Sequence, residues 1–212
     1  MLEPARRSGI DRRAMPISSG WLQAAMLTYL FGFSVLGVLA YLVYQDQPPL
    51  PGCVTSPSGA MLFTRQDILA GMHVFQRYGV MEYGSIYGHG AYLGPDFTAD
   101  YLHRSAEGLT ARYRAEPIEG ASAEERVRSE LHANTYEPAT DRLLWTEARV
   151  DMHRQLRAYY QRLFNNGLPD GGMQARYIED PEAMRQLTAF FAWTAWTATA
   201  NRPGRDYSYT NN

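Results

Sequence analysis

Gly79-Val80-Met81-Glu82-Tyr83-Gly84-Ser85-Ile86-Tyr87-Gly88-His89-Gly90-Ala91-Tyr92-Leu93-Gly94-Pro95-Asp96-Phe97-Thr98-Ala99-Asp100-Tyr101-Leu102 is the stretch on which the fold turns. From Gly79 to Gly94 it is glycine-rich and aromatic, which suits a loop rather than a regular element. Asp96 then offers a side-chain oxygen to cap a short helix running through His103.

Outward from this loop, short helices joined by turn-rich segments are predicted, with little strand signal. Thr64 followed by Asp67 marks a helix start, and Ile68, Leu69, Met72 and Phe75 fall on one apolar face. Ser122 with Glu125 forms a fuller capping box for a helix ending near Asn134. Another helix is expected from about Thr146 to Phe164, with Val150, Leu156, Tyr160 and Leu163 inward and Asn166-Gly167 as its stop. The last opens with Asp180 as cap and Pro181 at its first position, and turns Met184, Leu187, Phe190 and Phe191 inward. Met184 to Ala200 is short and interleaved with threonine, so it reads as a buried helix rather than a second membrane span. Asn201-Arg202-Pro203-Gly204 ends it.

Toward the N-terminus no charge occurs between Arg13 and Asp46, and Ala24 to Tyr44 is almost wholly apolar. About 20 helical residues span a hydrocarbon core of roughly 30 Å. Trp21, Tyr41 and Tyr44 suit the two membrane interfaces, and Pro48, Pro49 and Pro51 end the helix. Arg6, Arg7, Arg12 and Arg13 precede the span, so the positive-inside rule puts the N-terminus in the cytoplasm and the remainder outside. A cleaved signal peptide, with Val38 to Ala40 as its small-residue site, is the alternative, but the apolar run is longer than a signal core and continues past that site. The expected organisation is a cytoplasmic tail (1–20), a transmembrane helix (21–45), a linker (46–60), an extracytoplasmic domain (61–200) and a closing segment (201–212).

With 212 residues, 45% hydrophobic, the chain has room for one packed domain plus the anchor. A net charge of −2 gives no reason to expect a nucleic-acid partner. Cys53 is the lone cysteine, which excludes an intramolecular disulfide and a haem held by two thioethers. None of the five histidines forms a recognised metal spacing. Asp96, Asp100 and His103, on neighbouring turns, could share a cation, but they read more simply as a helix cap plus solvated polar residues. No catalytic or metal-binding residue is expected in this chain.

The 79–102 stretch resembles the N-terminal region of quinol-dependent, single-chain bacterial nitric oxide reductases. Trp193 to Asn212, reading WTAWTATANRPGRDYSYTNN, is similar to the segment leading into that family's catalytic membrane domain. In the related two-subunit enzymes the small subunit is an anchored cytochrome c whose Cys-x-x-Cys-His motif precedes a Gly-x-Gly-Ala-Tyr segment. Matching that segment to Gly88 through Tyr92 puts Val80 and Tyr83 at the cysteine positions and Gly84 at the histidine position. Met173 falls near where an axial methionine is expected. The resemblance implies a mostly α fold: one N-terminal transmembrane helix, then a cytochrome c-like helical domain lacking haem, its vacated pocket filled by Tyr83, Tyr87 and Tyr92.

It also implies a non-catalytic part of a reductase that converts two nitric oxide molecules to nitrous oxide and water with quinol electrons. The chain would carry no cofactor of its own. The parent's haem b, haem b3 and non-haem iron would belong to a catalytic membrane domain, a partner in the same chain or in a split subunit. Membrane lipid is the other partner, and the bacterial cytoplasmic membrane the location. The rival reading is an independent membrane-anchored binding module that uses the Gly84 to Leu93 loop. An extracytoplasmic hydrolase has no nucleophile–base pair behind it.

Overall fold

The computed structural model describes residues 18–116 and 120–211. The arginine cluster at 6–13, on which the expected orientation rests, lies outside the described residues. The chain divides into two units, one up to Gln47 and one from Pro48 onward.

The first unit holds helix α1 (Ser19–Gln45), capped by Ser18 and without a buried residue. Among the described residues it is the one helix long and apolar enough to cross a membrane, with a mean hydropathy of 2.0.

Among the described residues of the second unit a small sheet and five helices build a main core, with a smaller cluster of Leu109, Val127, Leu131, Ala148 and Met152 beside it. Strands β1 (Cys53–Thr55), β2 (Met61–Thr64), β5 (Tyr136–Glu137) and β6 (Arg142–Leu144) line up in the order β2-β1-β6-β5. β1 runs antiparallel to β2 and parallel to β6, with Val54 opposite both Phe63 and Leu143. These three side chains are buried and turn one face of the sheet onto the helices. A two-stranded hairpin, β3 (Ser85–Ile86) and β4 (His89–Gly90), stands apart. Strand is as sparse as expected among the described residues, although β1 falls inside the stretch expected to be a linker. Strands of two to four residues are too short to display a period-two pattern.

The helices are α2 (Arg65–Arg77), α3 (Phe97–Ala115), α4 (Ala123–His132), α5 (Glu147–Asn166) and α6 (Pro181–Thr199). Their starts are the expected ones: capping boxes at Thr64/Asp67 and Ser122/Glu125, and single caps at Asp96, Thr146 and Asp180. α3 does not stop near His103. Its buried face continues through Ser105 to Leu109, so packing carries it past a polar stretch that looked like an end. Gly167 closes α5, as expected, with φ 77 and ψ −177, an extended positive-φ conformation nearly restricted to glycine.

α6 is the central element. Buried residues occur all round it, from Ala183 to Thr197, so it is enclosed by protein rather than amphipathic. α2 lies against it where Gly71 has no side chain. A Cβ there would stand 2.0 Å from the Gln186 carbonyl oxygen and 2.8 Å from the Phe190 Cβ. Arg185 on α6 then reaches Asp67 on α2 at 2.5 Å. Burial pushes the Asp67 pKa up, but the hydrogen bonds from Arg185 and Thr64 outweigh it and hold the carboxyl below its usual range.

Gly71→Ala places a methyl group against α6 backbone, which cannot step aside as a side chain could. It should lower stability by about 1–3 kcal/mol, read as an earlier urea midpoint for the full chain in detergent. An unchanged midpoint would mean that α2 and α6 do not meet this closely.

Candidate functional site

The site is built on the loop from Gly79 to Pro95. Gly79 leaves α2 with φ 60, and Val80–Glu82 make one tight 3-10 turn. The hairpin β3–β4 follows, turning on Tyr87 (φ 51) and Gly88 (φ 76). Two successive positive φ values are what a two-residue hairpin turn matched to the strand twist requires. Asp96 fixes the loop to the following helix. Its Oδ2 accepts from Ser85 Oγ at 2.7 Å and from the Gly88 amide at 2.6 Å, while Oδ1 accepts from the Ala99 amide at 2.9 Å. A single carboxylate thus caps α3 and ties down the hairpin.

That cap also sets the position of Phe97, the first residue of α3. Its ring stacks on Phe191 of α6 at 4.6 Å with an interplanar angle of 1°, and on Phe164 of α5 at 5.9 Å. Phe75 of α2 meets both Phe97 and Phe191 edge-on at 6.3 Å, and Tyr160 of α5 meets Phe191 at 5.1 Å. Four helices therefore converge on one aromatic cluster.

The three sequence-predicted site residues border this cluster. Val80 is fully buried, and Tyr83 is half-buried with its ring edge-on to Tyr177 at 5.0 Å. Gly84 is the most constrained. A Cβ there would lie 2.4 Å from the Pro95 carbonyl oxygen and 2.6 Å from Cε2 of Phe97. Met173 is buried in the same core, in the 168–178 segment, which is bound to the loop where the Tyr177 hydroxyl donates to the Tyr78 carbonyl at 2.6 Å.

The expectation about filling the pocket needs correction. Tyr92 is 89% exposed and fills nothing. Tyr87 is partly exposed and sends its hydroxyl to Thr197 on α6. The rings packed together beside the loop are mainly phenylalanines. Phe97 was not expected in that role, because a single apolar residue beside a helix cap shows no periodicity that would mark it as core. The acidic set around α3 does not converge either. Asp96 is spent on the loop, Asp100 bonds Arg104 at 2.9 Å and the Tyr160 hydroxyl at 3.0 Å, and His103 faces Glu107 at 3.3 Å. Among the described residues no group of three or more His, Cys, Asp or Glu side chains could hold a metal ion.

A buried polar pair beneath the sheet carries no sequence signal. His153 on α5 is 5% exposed and sits against Phe63 and Trp145, with its Nδ1 2.9 Å from the Tyr101 hydroxyl. Burial, reinforced by the charges of Arg157, Arg154 and Arg185, holds its pKa down to about 3.

A family model described as the NorB cytochrome c-like domain of nitric oxide reductase matches residues 51–212. No curated protein matches the chain.

His153 generates a pH dependence whose sign is fixed by linkage. An unfolded histidine binds its proton near pH 6.5, whereas the buried one stays neutral down to about pH 3. The unfolded chain therefore binds more protons in that window. Stability is fully present above pH 6.5 and falls as the pH drops, by at most about 1.4 kcal/mol per unit. His153→Gln should flatten this slope between pH 6.5 and 4.5 in urea titrations. A wild-type stability that does not change over that range would contradict the assignment.

Proposed function

The chain belongs to the family of the NorB cytochrome c-like domain of nitric oxide reductase across residues 51–212, and we propose that it is the anchor and outer cap of a quinol-dependent nitric oxide reductase. The reaction served is the reduction of two nitric oxide molecules, with two electrons and two protons, to nitrous oxide and water. In this reading α1 crosses the cytoplasmic membrane and the domain from Pro48 onward stands outside the cytoplasm. Quinol gives its electrons to the catalytic membrane part, and this domain passes none.

One observation carries the reading. A haem of the c type needs two thiols and an imidazole at its attachment loop, and the matching positions are Val80, Tyr83 and Gly84. The first two side chains cannot form thioethers. The third position has no space for a ligand, since a side chain there meets Pro95 and the Phe97 ring. Phe97, Phe191, Phe164, Phe75 and Tyr160 make ring-to-ring contacts where a macrocycle would need room. The residues present do not fit a haem. What they do support is a rigid body: protein interiors pack densely, and a haem-sized void left empty would be strongly destabilising.

A structural cap contributes to assembly and leaves turnover alone. Phe97→Ala opens the aromatic cluster at a cost of about 3–5 kcal/mol. When the variant is produced with the catalytic membrane part, membranes should contain less assembled reductase, measured by haem b content. Nitric oxide consumption per haem b with a quinol donor should stay unchanged. Full assembly with reduced consumption per haem b would instead place the domain on the electron path.

A further inference from the structure

Away from the loop, α3, α4, α5 and α6 border a small, partly open cavity of about 20 Å³ whose walls include Tyr101, Ser105, Trp145, Arg149 and Trp196. Trp145 and Trp196 are 2% and 0% exposed, and the indole Nε1 of each is buried with no hydrogen-bond partner. Buried donors left unpaired are rare in native proteins, because each has given up water for nothing. Two such donors in the wall of one small cavity point to a ligand that accepts from both.

The third group is Arg149. Its guanidinium lies over the Trp145 ring at 4.9 Å, and among the described residues it has no ion pair. Burial pushes its pKa down, opposed by Tyr101, Glu130 and Tyr113. Glu130 is a counter-charge that stabilises the cation without bonding to it, its two oxygens accepting from the Tyr113 and Thr146 hydroxyls. Arg149 also lines the open surface recess that contains Glu130, so it forms the wall between that recess and the cavity. The Tyr101 hydroxyl is already engaged with His153.

We propose that this cavity is a site for one monatomic anion of the halide class, held by the indole N–H groups of Trp145 and Trp196 beside the Arg149 guanidinium. The volume admits a single atom-sized species and excludes sulfate, phosphate or a carboxylate. A water could also accept from both indoles and pass its protons to the Tyr101 and Ser105 hydroxyl oxygens in the wall, so the experiment below is chosen to separate the two occupants. A halide needs donors alone, and the neighbouring Arg149 guanidinium favours an anion there. Bound there, it ties the start of α5 to the last turn of α6.

The test uses the full chain in non-ionic detergent, with sodium bromide or chloride titrated against sodium sulfate at constant ionic strength. Bromide and chloride should raise the Tm saturably, and sulfate should not. Trp145→Phe and Trp196→Phe each keep an aromatic ring but lose the donor, and should weaken the apparent affinity by about tenfold or more. Trp193→Phe should not, because the Trp193 indole already donates to the Pro49 carbonyl at 3.0 Å. Crystals grown in bromide should show one anomalous peak between the two Nε1 atoms, a result that does not depend on the variants folding. A Tm that responds equally to bromide and sulfate, or a water at that position with no anomalous signal, overturns the proposal.

Discussion

Phe97 lies flat on Phe191 at 4.6 Å, and the arrangement of the other elements follows from the need to bring those two rings together. One ring opens α3 and the other sits in the middle of α6, so the contact fixes the start of one helix against the centre of another. Phe164 then closes the stack from α5, and Phe75 closes it edge-on from α2. The loop before α3 has to deliver Phe97 with its ring turned inward, and the Asp96 carboxylate does this by binding Ser85, Gly88 and the first turn of the helix at once. Gly84 and Gly71 are small for the same reason: each lies where backbone or a ring approaches too closely for a side chain.

Much of this was legible. Helix starts are local chemistry, a side-chain oxygen and an amide two or three residues on, and Thr64, Asp96, Ser122, Thr146 and Asp180 all cap helices at the expected places. The apolar length of α1 needs no partner to be recognised. The small sheet was not legible, because its strands are held by pairing between residues such as Val54 and Leu143, far apart in sequence, and are too short to advertise themselves. The length of α3 was not legible either, because its continuation depends on burial of Ser105 and Leu109 against other helices.

The loop around Val80, Tyr83 and Gly84, singled out by the family resemblance, borders the core. Tyrosines were expected to fill the space because they stand in the loop itself, yet the filling rings come mainly from the helices. That difference is physical: a loop tyrosine such as Tyr92 can leave its hydroxyl in water and remain exposed, whereas Phe97 and Phe191 gain only by burial. The result is a cytochrome c-like framework whose core beside the loop is filled by hydrocarbon rings.

We propose that this framework holds no haem, and the most direct measurement is the haem content of the full chain, purified from a host with an active cytochrome c maturation system and analysed as its pyridine haemochrome. The account predicts no covalent haem and no absorbance in the haem region above that of the detergent blank. One covalent haem per chain in a folded protein would contradict it, and would require Phe97 and Phe191 to part.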